Sequence, residues 1–123
     1  MHHPPINGSE RVRRQLRDGK GFRKVMADAG AELVLHGHNH RLDQGTVRTP
    51  LGEAPVIGVP SASAWPRHGM TPAAYHIYRI GSTPDGWSLR MDSRTFDCQT
   101  KTFIPAGHKT FELQAALTAA SAA

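Results

Sequence analysis

The chain has 123 residues, a net charge of +5 at neutral pH and 38% hydrophobic residues. That length allows one domain at most, or part of one, with a modest core. A single cysteine, Cys98, excludes an internal disulfide scaffold, and no run approaches the ~20 apolar residues of a membrane-spanning helix.

Residues 4–9, Pro-Pro-Ile-Asn-Gly-Ser, form a loop by composition. Ser9 is placed to cap a helix beginning at Glu10, with Val12 and Leu16 on one face. Asp18-Gly19-Lys20-Gly21 interrupts that pattern. A second helical stretch follows, with Phe22, Val25, Met26 and Ala29 on one face, and Gly30 ends it. Glu32 to Leu35 reads as a short buried strand running into His36-Gly37-His38. Strands are predicted over 42–49 and 55–59, on either side of a turn at Pro50-Leu51-Gly52-Glu53. Residues 60–69 form a loop carrying Trp65 and His68, read as surface packing. Residues 74–80 and 87–96 alternate well and flank Pro84-Asp85-Gly86, which predicts an antiparallel pair. Thr102-Phe103-Ile104 adds one short strand, and Ala115 to Ala123 is weakly helical or frayed. Twelve glycines and nine prolines predict that much of the chain is loop.

Charge and targeting narrow the partners. Arg11, Arg13, Arg14, Arg17, Lys20, Arg23 and Lys24 share the helical stretch, where a solvated face explains them and a phosphate-facing role is the alternative. No aromatics interleave with them, so nucleic acid is not an expected partner. No signal-peptide core follows Met1, which makes the cytoplasm the expected location and a membrane partner unexpected.

Five of the eight histidines fall in Met1-His2-His3-Pro4-Pro5 and Leu35-His36-Gly37-His38-Asn39-His40. Imidazole is the commonest metal ligand at neutral pH. On an extended backbone His36, His38 and His40 would point the same way, and Gly37 would permit an unusual turn. His38 and His40 could then reach one metal or two neighbouring ones. His36 reads as a buried, hydrogen-bonded histidine. His76 and His108 read as structural or exposed.

His-His-Pro-Pro, a helix, an apolar strand and Gly37-His38-Asn39-His40 together resemble the C-terminal half of a calcineurin-like metallophosphoesterase. That family's pattern is D-x-H, G-D-x-x-D, G-N-H-D/E, an isolated His, then G-H-x-H. The last two elements match here. The resemblance implies an α/β fold, the C-terminal part of a two-sheet αββα sandwich with its N-terminal βαβ half absent. Residues 1–110 would be that part of the domain, and residues 111–123 an Ala-rich tail. It implies that His2 and His38 serve the second metal and His40 the first, with Mn, Fe or Zn as the ions. His3 would contact the substrate phosphate. The activity implied is phosphodiester hydrolysis at a two-metal centre, as in the phosphodiesterase-type branch.

The departures are large. The chain contains no D-x-H, G-D-x-x-D or G-N-H-D, the elements that supply the bridging carboxylate, an Asn for metal and phosphate, and the His that protonates the leaving group. No catalytic residue is therefore assigned, and the chain alone is expected to be inactive. The alternative is a non-catalytic half-domain. It would bind one metal through His2, His38 and His40 and pair through an exposed sheet edge, with a second copy or with the missing half.

Overall fold

A computed structural model of the chain describes residues 1–6 and 15–114. The expected helix beginning at Glu10, with its cap at Ser9, lies outside the described residues, as does the Ala-rich end from Ala115. The fold is α/β, with one helix and two three-stranded sheets.

Helix α1 spans Gly19–Ala29. It starts inside the segment expected to break it. The Asp18 carboxylate accepts a hydrogen bond from the Gly21 amide at 3.1 Å, satisfying a donor that the first turn leaves unpaired. Gly30, at φ 84°, closes the helix by donating to the Met26 carbonyl at 2.9 Å. Phe22 and Met26, at i and i+4, pack on the core, whereas Val25 and Ala29 are exposed. The apolar stripe is thus narrower than the sequence implies.

The first sheet contains β1 (Val34–His36), β2 (Asp43–Thr49) and β3 (Gly52–Gly58), in the order β1-β3-β2. β1 runs parallel to β3, and β2 runs antiparallel to it. Val34, Val47, Ala54 and Val56 form the cluster beneath α1, joined by Ile6, Phe22, Met26 and Ala31. β3 is buried from Ala54 to Gly58, as a central strand covered on both faces must be. The turn after β2 is fixed by Thr49, whose hydroxyl donates to the Gly52 carbonyl at 2.8 Å and accepts from the Leu51 amide.

The second sheet is a meander of β4 (Ala74–Thr83), β5 (Gly86–Asp97) and β6 (Thr102–Gln114). Thr83 pairs with Gly86, so Pro84-Asp85 is a two-residue loop, as expected of that turn sequence. β6 is far longer than the three residues predicted. Its pairing skips Ala106, because Ser93 faces Gly107 while Arg94 faces Pro105. That bulge, with Gly107 at φ 116°, absorbs the irregular Pro-Ala-Gly stretch. Long strands, not loops, make up most of this half, against the expectation from glycine and proline content.

The sheets meet across the second face of β3. Leu35, Ile57 and Val59 line a cavity of about 330 Å³ together with Ala74, His76 and Tyr78 of β4. Lys109 of β6 reaches across to the Gln44 side chain at 2.9 Å. Among the described residues no helix is long and apolar enough to cross a membrane.

Candidate metal centre

The site is built where the chain's first residues meet the end of β1. The Met1 nitrogen donates to the Leu35 carbonyl at 2.8 Å, and the Gly37 amide donates to the His2 carbonyl at 3.1 Å. These bonds lay Met1-His2 along β1. Pro4 and Pro5 are fully buried, and Arg23 of α1 holds the Pro5 carbonyl at 2.9 Å. Proline fixes its own φ and restricts the residue before it, so His3 is set on a stiff segment.

β1 stops at His36, and a tight turn follows. Extended alternation therefore does not carry His36, His38 and His40 onto one face, as the sequence suggests. The left-handed φ values belong to His38 (68°) and His40 (51°), and Gly37 does not need one. Such a conformation costs a non-glycine residue about 1–2 kcal/mol. The Asn39 amide donates to the Gly37 carbonyl, and the Asn39 side chain donates to Asp43 at 2.8 Å, which together pin the turn.

This backbone brings His2, His3 and His38 together. One ring nitrogen from each lies within 4.8 Å of the other two. His38 Nδ1 and His2 Nε2 are 3.0 Å apart, and the His3 and His38 rings are centred 4.3 Å from each other. His3 Nδ1 is buried with no hydrogen-bond partner among the described residues. His40 is exposed and stands outside the group. Of the four residues singled out in the sequence, the structure thus gathers His2, His3 and His38 and leaves His40 apart.

His36, the last residue of β1, is buried at 4% exposure. Its Nδ1 hydrogen-bonds the Gly37 carbonyl at 3.0 Å, while Nε2 has no partner among the described residues. The ring rests on Gly58, where a Cβ would lie 2.5 Å from His36 Cε1. Neither the Gly58 seat nor the Asn39–Asp43 bond is readable from sequence, since both depend on how β1, β2 and β3 pair.

The other histidines and the loop aromatic lie elsewhere. Trp65 is 62% exposed and its ring meets Phe96, while His68 and His108 are exposed. His76 is half-buried with Nδ1 3.0 Å from the Tyr78 hydroxyl. Burial lowers the His76 pKa and raises that of Tyr78 to about 12. On the second sheet Asp92 takes ion pairs from Arg79 and Arg90, a cluster the sequence analysis passed over. The hydrogen bond from Arg90 holds the Asp92 carboxyl below its usual range.

The described chain is thus an α/β fold with three converging imidazoles at the tip of its smaller sheet. Comparison with family models, curated proteins and solved structures returns no match.

Proposed function

We propose that this chain carries the histidine-bearing part of a two-metal phosphoesterase of the calcineurin-like type. The observation that supports this reading is the meeting of His2 and His38. Thirty-six positions apart in sequence, they come within 3.0 Å through main-chain bonds between residues 1–2 and 35–37. The resemblance to the family's isolated His and G-H-x-H assigns these two side chains to one metal. It assigns His40 to the other metal and His3 to the substrate phosphate. The two small sheets, packed through Ile57 and β4, are compatible with the C-terminal part of a two-sheet sandwich.

The donor set suits the implied ions. Imidazole binds Zn, Fe and related divalent metals, and the unsatisfied His3 Nδ1 is the kind of buried nitrogen a metal site explains. Bound divalent ions would polarise the phosphoryl oxygens and supply a hydroxide nucleophile. In this chain His2 and His38 hold and orient, and the segment from Pro4 to Pro5 keeps their backbone fixed. The carboxylates that would bridge two ions are not in this sequence, so the chain binds metal without turning over substrate. A non-catalytic metal-binding module is the second reading, and the inclusion of His3 in the cluster favours it.

The test is a phosphodiesterase assay of the pure chain with Mn²⁺, beside equilibrium dialysis for bound metal. Metal bound without turnover is the expected result. Turnover abolished by His38→Ala would show a complete site and refute the partial one. Failure to bind any divalent metal would remove the reading altogether.

A further inference from the structure

We infer that His2, His3 and His38 form a single-metal site in which His3, not His40, is the third ligand and a fourth position is open to an anionic oxygen. This inference rests on the metal-binding part of the reading above and not on phosphoester chemistry.

Geometry selects the three residues. In a tetrahedral zinc site with Zn–N bonds of about 2.0–2.1 Å, donor nitrogens stand about 3.3–3.4 Å apart. His2 Nε2 and His38 Nδ1 are already at 3.0 Å, and the whole group spans no more than 4.8 Å. A closure of about 1–1.5 Å would complete the set. His40 is not among the residues whose nitrogens converge within that distance.

Satisfaction of polar groups selects His3 independently. A buried ring nitrogen without a partner costs about 1–3 kcal/mol. Among the described residues His3 Nδ1 is such an atom, and it sits on the ring that faces His38. Coordination through His3 Nδ1 would remove that deficit. The backbone is also prepared for this role. His3 precedes two buried prolines, and His38 is held in a left-handed turn by the bonds of Asn39. Ligands positioned by strained or stiff backbone before the ion arrives are what a built site requires.

Charge then defines the fourth ligand. The group contains no carboxylate, so a dication on three neutral imidazoles keeps its full charge. Three protein ligands with an open position is the arrangement that admits water or a substrate oxygen. The excess positive charge favours an anion such as phosphate over a neutral ligand.

Cobalt(II) titration of the full chain, read by visible absorption and by calorimetry, tests the inference. One cobalt per chain with the intense bands of four-coordination is expected, and inorganic phosphate should change those bands. His3→Ala should weaken binding by more than about 100-fold, beyond the 10–100-fold of an outer partner, and His40→Ala by no more than about twofold. His3→Gln, which restores hydrogen bonding but is not an imidazole, should behave as His3→Ala does. This variant separates lost ligation from lost folding. Binding that survives in His3→Ala and disappears in His40→Ala would overturn this assignment and leave the two-metal reading standing. Two cobalt ions per chain would do the same. A spectrum unmoved by phosphate would refute the open position. No binding by the unsubstituted chain would remove both readings together.

Discussion

The two sheets treat their polar side chains in opposite ways. On the second sheet the polar side chains find partners: Asp92 takes ion pairs from Arg79 and Arg90, and Lys109 donates a hydrogen bond to the neutral Gln44 of the first sheet. At the tip of the first sheet three imidazoles face each other with no carboxylate in the group, and ring nitrogens of His3 and His36 are buried without partners among the described residues. Regular paired strands let each residue find a neighbour at a fixed register. The tip is made of irregular backbone, a proline segment and a turn with two left-handed histidines. Departure from satisfied, regular structure is where function is expected to concentrate. On the proposed reading, the long meander is the scaffold and the tip of the short sheet carries the ligands.

The largest effects test whether the two regions form one folding unit. Ile57 and Leu89 are each 1% exposed, one in β3 and one in β5. Ile57→Ala and Leu89→Ala should each cost about 2–5 kcal/mol in denaturant unfolding. Both should shift one common transition, because Ile57 faces the cavity shared with β4. Two separate transitions in either variant would divide the regions and break the comparison at its root.

A glycine pair sharpens it. A Cβ on Gly58 would meet His36 Cε1 at 2.5 Å, His36 Nε2 at 2.9 Å and Asp43 Cβ at 3.1 Å. Gly58→Ala should therefore cost about 1–3 kcal/mol and weaken metal binding, because displacing His36 disturbs the strand end that feeds the turn. Gly81 of β4 has nothing within 4 Å of the same position. Gly81→Ala should change stability by less than about 0.5 kcal/mol and leave metal binding alone. Equal costs at the two positions would mean that the tip is no more tightly built than the scaffold.

The sequence carried the order of elements and the two histidine segments, but not which histidines meet. Alternation at Tyr75–Ile80 and Trp87–Phe96 around Pro84-Asp85-Gly86 is a local signal, and the hairpin follows it. β6 was hidden because Pro105 and Gly107 break alternation. An edge strand tolerates both, and the bulge that skips Ala106 restores its register. Asp18 looked like part of a break, yet its carboxylate caps the helix through Gly21, where a Cβ would collide with that same carboxylate. The expected grouping of His38 with His40 assumed an extended backbone. The positions of the imidazoles are instead decided by long-range bonds of Met1 and His2 to Leu35 and Gly37, together with left-handed turn angles. No local pattern encodes those.

The smallest effect is one of pH, and it distinguishes the interior of the scaffold from the tip. His76 lines the cavity between the sheets, and burial lowers its pKa from the ordinary 6.5. Its neighbour Tyr78, raised to about 12, stays neutral over the whole working range. The folded protein thus holds His76 uncharged at a pH where the unfolded chain has begun to protonate it. Between the lowered value and 6.5 the unfolded state binds more protons, so stability rises with pH across that window. Above 6.5 both states are neutral and the dependence ends; below the folded value both are charged and the loss is complete. Urea midpoints at pH 5.5 and 7.5 should therefore lie closer together in His76→Gln than in the unsubstituted chain. An unchanged spacing would place the pH sensitivity in other groups, and the inter-sheet cavity would then be more open to water than the burial of its walls implies.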